Sequence, residues 1–455
     1  MSNAEWVLLL SRGQFALTMG MHITLAALTL GLSPFLLWFE ARWLWGKQPG
    51  AREALHFWLK VFALTVAVGA VSGVVMEVQF GTHWSGLSQK VGGVIGPLLF
   101  YEVLVAFFLE SGLTGVMLFG MGKIRPGIHF IVTCFVTLGA LLSAFWILAA
   151  NSWLQTPTGF TRDESGRFLP ESWTMVLSAP SFPFRFSHML LASLIAVAFM
   201  IAGVAARRLL LNMQEQAARR MLTAALSFTL VAVPLQIVVG DLHGENTLAH
   251  QPAKLAAIEG SWHQPAANDG EPLRLFAWPD QQAQRNRLEL AIPDIASLYL
   301  RHNLSGHIKS LSEFDPQTIP PVAPVFFAFR LMVGLGVVML LASIVANVQH
   351  WRGRLTRSRR LLNMLVWLSP AGFIAMLSGW LVTEIGRQPW TVYGMLRTAD
   401  SISALSLSTT VAILAAIIVI YALSFALGLR YLLRLISSPL QPKGDVVTQE
   451  IRTSP

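Results

Sequence analysis

The chain has 455 residues, of which 54% are hydrophobic and 13% charged, with a mean hydropathy of +0.56. A soluble domain carries about 25% charged residues, so the composition excludes a disordered or fibrous chain and argues against a soluble enzyme. The net charge of +9 acquires a meaning only from where the charges lie, and the single cysteine, Cys134, excludes an intrachain disulfide.

Crossing about 30 Å of hydrocarbon takes about 20 helical residues. Nine runs meet that length: Phe15–Phe39, Phe57–Met76, Gly93–Phe119, Ile128–Ala150, Phe186–Ala206, Met221–Gly240, Val325–Asn347, Leu361–Thr383 and Thr409–Leu433. Helix is the expected state, because an open strand in lipid leaves its backbone unpaired. The expected fold is an all-α polytopic membrane protein with the spans at 1–240 and 324–440. A long polar, Pro-rich connection at 241–323 separates the two groups, and a short disordered tail at 441–455 ends the chain.

Nine spans place the termini on opposite sides. The loops holding Arg42, Lys47, Lys123, Arg207, Arg208, Arg352 and Arg354, together with the C-terminal end, carry roughly three times the Lys and Arg of the opposite loops, so they face the cytoplasm. The N-terminus and the long connection then face out. The basic charge is explained by this asymmetry, and no nucleic-acid partner is expected. No Cys-x-x-Cys-His string occurs, so covalent c-type haem attachment is not expected. The first residues lack a basic n-region, which argues against a cleaved signal peptide.

Ionisable residues inside a span are costly and mark function by default. They are His22, Glu102, Glu110, His188, Arg330 and Glu384. Lys60 and His129 fall at cytoplasmic ends, where snorkelling accounts for them. His22, His188, Met332 and Glu384 share one leaflet, and His with Met is a known axial pair for a low-spin haem. Singly, an intramembrane His is more often a packing residue, and a Met fills gaps. Glu102 and Glu110 are eight residues apart, about 80° beyond two full turns, so both can face one interior. They read either as partners of Arg330 or as a two-carboxylate proton relay. Lys254 and Glu259, taken alone, read as a solvated pair in the outer loop.

Strings of residues are more specific. Ser11-Arg12-Gly13-Gln14-Phe15-Ala16-Leu17-Thr18 leads into His22, and Glu77-Val78-Gln79-Phe80-Gly81-Thr82-His83-Trp84 follows the second run. Phe107-Phe108-Leu109-Glu110-Ser111, Asn151-Ser152-Trp153-Leu154-Gln155, Lys254-Leu255-Ala256-Ala257-Ile258-Glu259, Arg330-Leu331-Met332-Val333-Gly334 and Gly386-Arg387-Gln388-Pro389-Trp390 follow in order. Together, from about Ser11 to Trp390, they resemble subunit I of the cytochrome bd-type quinol oxidases. The brief segment after Glu259 is similar to the short-loop class, which includes the cyanide-insensitive oxidases.

The resemblance implies a terminal oxidase of the bacterial inner membrane that oxidises quinol on the periplasmic side. Oxygen is reduced to water with cytoplasmic protons, which generates a proton-motive force. It implies two haem b groups, one low-spin and one high-spin, with haem d or a third haem b. His188 and Met332 resemble the low-spin axial pair, His22 the ligand of one high-spin site, and Glu384 that of the high-spin haem b. Glu102 and Glu110 resemble the proton-path carboxylates, Lys254 and Glu259 the quinol-binding pair of the periplasmic loop, and Arg330 and Arg387 arginines that stabilise the haem region. A second membrane subunit is implied, with room for small single-span accessory subunits. The competing readings are a haem-free proton-coupled transporter, which predicts an inverted repeat that the sequence lacks, and a membrane haem-handling protein.

Overall fold

The computed structural model describes residues 2–213, 215–265 and 269–438. The expected tail at 441–455 lies outside them. Nine helical segments among the described residues are long and apolar enough to cross a bilayer. The first four spans are built from α1 (Asn3–Leu44), α2 (Ala51–Thr82), α3 (Ser85–Val105) continuing into α4 (Gly112–Phe119), and α5 (Pro126–Gln155). A hairpin of β1 (Phe160–Arg162) and β2 (Phe168–Pro170) and the short α6 (Trp173–Leu177) lead to α7 (Phe182–Leu210) and α8 (Glu215–His250).

The long connection is ordered by a short helix, α9 (Pro252–Glu259), a hairpin of β3 (Leu273–Asp280) and β4 (Arg285–Ile292), and α10 (Ile295–Arg301). Span 7 is α11 (Val322–Trp351). Span 8 is broken into α12 (Arg359–Trp367) and α13 (Ala371–Ile385), with Pro370 at the break. A proline cannot donate an interior backbone hydrogen bond, so a helix restarts there readily. A hairpin of β5 (Trp390–Val392) and β6 (Leu396–Arg397) joins it to α14 (Leu407–Ser437).

The helices extend past the apolar runs because their ends leave the hydrocarbon. Ser2 starts α1 with a capping box: its hydroxyl accepts from the Glu5 N–H, and the Glu5 carboxylate accepts from the Ser2 N–H. The centre of the bundle is α7, 72% of whose most apolar stretch is buried, against 11% for α14 at the rim. Its alanines allow close approach, as small residues do between helices in lipid. Gly31 on α1 and Gly372 on α13 meet it, and a Cβ at either would come within 2.4 Å of α7 backbone.

One expectation fails at a span end. His129 does not snorkel; it is buried, with Nδ1 2.6 Å from Glu40 Oε1 and Nε2 2.8 Å from the Met117 carbonyl. Thr133 donates to Glu40 Oε2 at 2.7 Å. The carbonyl can only accept, so Nε2 carries a proton and one further proton is shared between Nδ1 and the carboxylate. This pair ties α1, α4 and α5 together.

Candidate functional site

His22, His188, Met332 and Glu384 lie along the walls of one apolar cavity of about 1500 Å³, together with Glu102, Glu110, Lys254, Glu259 and Arg387. Ordinary ligand pockets are roughly 300–1,000 Å³, so this one has room for more than one large apolar group. Among the described residues, no three His, Cys, Asp or Glu side chains converge to hold a bare ion. The donors are spaced singly, which suits a macrocycle that brings its own four nitrogens and needs one or two ligands from protein.

His22 is prepared as a donor. The Ser72 hydroxyl gives its proton to the Gly69 carbonyl at 2.8 Å, so it accepts from His22 Nδ1 at 3.0 Å. The ring is therefore the tautomer with an unprotonated Nε2, the form that binds metal. Space is cleared by glycine beside three of the four ligand candidates, Glu384 being the exception. A Cβ at Gly73 would lie 3.4 Å from His22 Cε1, one at Gly240 3.3 Å from His188 Cε1, and one at Gly379 2.7 Å from Met332 Sδ. Among the described residues, His188 Nδ1 is buried with no hydrogen-bond partner. An apolar cavity, presented donors and cleared rings fit haem.

Glu384 closes span 8 inside a net of charge. Asn151 donates to its Oε1 at 3.0 Å and Arg387 to its Oε2. Arg185 donates to Asn151 Oδ1. Gln155 reaches Glu384 with Nε2 at 3.5 Å while its Oε1 accepts from Lys254 Nζ at 2.8 Å. Three basic side chains, Arg185, Lys254 and Arg387, thus lie around one carboxylate in a buried region. Among the described residues, Arg387 Nε and Nη1 have no hydrogen-bond partner. Such an excess favours anionic groups on whatever the cavity holds.

Glu102 accepts from Ser143 at 2.8 Å. Between Glu102 and Glu110 the chain makes a π-helical turn, Ala106–Ser111. One added residue in a turn absorbs about 100° of rotation, which nearly cancels the roughly 80° offset expected of a regular helix. The two carboxylates therefore share one face more closely than regular geometry allows. Neither pairs with Arg330. That guanidinium lies 3.8 Å from Glu259, donates to the carbonyls of Ile258 at 2.5 Å and Arg274 at 2.8 Å, and covers the Phe326 ring at 3.4 Å.

Lys254 and Glu259 are not a solvated pair. They are 4% and 1% exposed and bond to different partners. Lys254 donates to Gln155 and Gln251. Glu259 accepts from the Tyr299 hydroxyl at 2.7 Å, and Arg274 donates to the Glu259 backbone carbonyl at 3.3 Å. Burial holds the Glu259 carboxyl above its ordinary range, with Arg330 and Tyr299 acting in the opposite sense. Burial, then the charges of Arg185 and Arg387, hold the Lys254 ammonium well below its own. Sequence reasoning missed Tyr299, Arg274, Arg185 and Ser143. The Asn151–Gln155 string is the signal that points to the polar wall beside Glu384.

Residues 10–439 match the family described as cytochrome bd terminal oxidase subunit I. The chain is 33% identical to the cytochrome bd-II ubiquinol oxidase subunit 1 of Escherichia coli (strain K12), covering 87% of this chain and 90% of that protein. It is 34% identical to the cytochrome bd ubiquinol oxidase subunit 1 of Bacillus subtilis (strain 168), covering 87% and 86%. The solved bd oxidase from Geobacillus thermodenitrificans superposes with a TM-score of 0.87 at 25% identity, over 96% of this chain and 99% of the other.

Proposed function

The chain belongs to the family of subunit I of the cytochrome bd terminal oxidases, and from that premise we propose how its residues divide the work of a haem-containing quinol oxidase. Quinol binds where α9 meets α10 and the start of α11. Lys254 orients the head group, and Glu259, its carboxyl already biased towards holding a proton, accepts one from the quinol hydroxyl. Tyr299 and Arg330 hold that carboxylate in place. His22, His188, Met332 and Glu384 would hold the haems, and Arg185 and Arg387 would meet acidic substituents on them. Haem held by these residues would supply electron transfer and the reduction of oxygen to water. The cofactor set is two haem b groups with haem d or a third haem b.

Glu110 and Glu102 pass protons towards the oxygen-reducing end of the cavity. On the positive-inside asymmetry, the N-terminus and the 241–323 connection face the periplasm of a bacterial inner membrane, and Glu110 lies nearer the cytoplasm. Quinol protons then leave outside while those entering water come from inside, which generates a proton-motive force without a pump. A second membrane subunit, with or without small single-span subunits, covers part of the apolar surface.

The observation that carries this reading is the single cavity reaching from the Lys254–Glu259 end to Glu102 and Glu110, with four presented ligand side chains along it. The test is a reduced-minus-oxidised spectrum and quinol-dependent oxygen uptake by the purified complex, with pigment extraction to identify the haems. A haem-free preparation would restore the transporter reading. Haem without oxygen uptake would indicate a haem-handling protein. Lys254→Ala and Glu259→Ala should lower quinol oxidation while haem content stays intact.

A further inference from the structure

The β3–β4 hairpin does not stand clear of the spans. Its turn holds the start of α11, because the Val322 N–H donates to Gln281 Oε1 at 3.0 Å. Further along β3, the rings of Trp278 and Phe276 lie 5.6 and 6.0 Å from Phe327, and the Arg274 carbonyl accepts from Arg330. Val322 to Arg330 is eight residues, about 12 Å of helix axis. The strand therefore follows the first two turns of a membrane span.

The two faces of the hairpin differ. Arg274 and Ala277 are buried, and Arg274 reaches the Glu259 carbonyl. Phe276, Trp278, Leu288 and Leu290 are exposed, Leu288 at 82% and Leu290 at 61%. Phe276 pairs across the strands with Leu290, and register shifts on either side of Phe276 re-aim β3 so that Leu275 and Phe276 both point outward. An apolar sheet face of this kind in water invites aggregation. It runs on into the exposed apolar stripe of α11 at Leu331 and Val333, and its turn end is basic, with Arg285 beside Arg287, which is paired with Asp280. An apolar body with Trp and a basic end is the composition of an element at the membrane interface.

We propose that the β3–β4 hairpin docks into the leaflet on its side of the bilayer, with acyl chains against Phe276, Trp278 and Leu290 and lipid phosphate near Arg285 and Arg287. Quinol enters the Glu259 site from the membrane beneath this flap. The entry route rests on the functional reading above; the docking does not.

The test is spin-label accessibility. Leu290→Cys in a Cys134→Ala background is labelled in the assembled complex in phospholipid nanodiscs, with Glu164→Cys on the exposed β1–β2 turn as the aqueous reference. The proposal predicts strong collision with dissolved oxygen and several-fold less with a water-soluble nickel chelate than at Glu164→Cys. Nickel accessibility equal to the reference would put the face in water. Shielding from both agents would mean that protein covers it. Either result overturns the docking. For the entry route, Leu290→Asp should raise KM several-fold for a long-tailed quinol and leave it unchanged for a short-tailed, water-soluble one. An equal change for both would overturn lateral entry, and absence of any quinol oxidation in the parent protein would overturn the functional reading while the label still decides the docking.

Discussion

Tyr299 donates its hydroxyl to one oxygen of Glu259 at 2.7 Å, and Arg330 lies 3.8 Å from the other. Residues from three separate segments thus converge on one buried carboxylate. Burial raises its pKa and these two partners restrain the rise.

Quinol oxidation that needs the deprotonated Glu259 should increase with pH through a value above the ordinary carboxylate pKa of about 4.3. Tyr299→Phe removes a hydrogen bond to the charged form, so this limb should move to higher pH. A bond to a charged group is worth about 1.5–3 kcal/mol, which corresponds to roughly a 10- to 100-fold loss in kcat/KM for quinol. The same shift has a stability consequence. A raised carboxyl pKa means the folded chain holds this proton more tightly than the unfolded one. The contribution is complete below the unfolded pKa and is lost as pH climbs through the folded value. An acid limb that does not move in Tyr299→Phe, measured at unchanged haem content, would count against Glu259 as the proton acceptor.

Met332→Leu should keep the assembled fold, since Leu conserves volume, but abolish the six-coordinate low-spin spectrum. Gly379 lies against that sulfur, where an added Cβ would come 2.7 Å from Sδ. A low-spin spectrum identical to that of the parent protein would exclude Met332 as a ligand.

The Glu40–His129 pair should act on stability alone. Glu40→Ala leaves a buried ring without its carboxylate, a loss of about 3–5 kcal/mol for a broken buried pair. The apparent Tm should fall clearly while turnover per haem is retained. Glu40→Leu combined with His129→Leu should recover part of the loss, because both buried polar groups are then gone. A double variant as unstable as the sum of the singles would show that the two residues act independently.

Much of this was legible in the sequence. Spans announce themselves because lipid tolerates few polar groups, and for the same reason His22, His188, Glu102, Glu110 and Glu384 stand out from their surroundings. What stayed hidden was pairing across distance. His129 reads as a snorkelling residue because its partner Glu40 lies 89 positions away on another helix. Tyr299 carries no motif, and its role emerges only when α10 folds back on α9. Lys254 and Glu259 look solvated because hydropathy cannot register that Gln155 and Arg330 wall them in. The π turn at Ala106–Ser111 changes rotation without changing composition, so periodicity misses the alignment it gives Glu102 and Glu110.

The division of labour proposed for this chain places quinol at Lys254 and Glu259 and the path of protons for water at Glu110 and Glu102. Glu110→Gln separates the two. Gln keeps the shape and hydrogen bonding but cannot release and regain a proton near neutral pH. Stopped-flow spectroscopy of the assembled, fully haem-loaded variant can follow anaerobic haem reduction by quinol, and then the reaction of the fully reduced protein with oxygen. Haem reduction should run at the parent rate while the proton-coupled oxygen steps slow by roughly 10²-fold or more, the scale of a lost proton-transfer group. Oxygen steps at the parent rate, or equal slowing of both phases, would rule out Glu110 as the proton carrier.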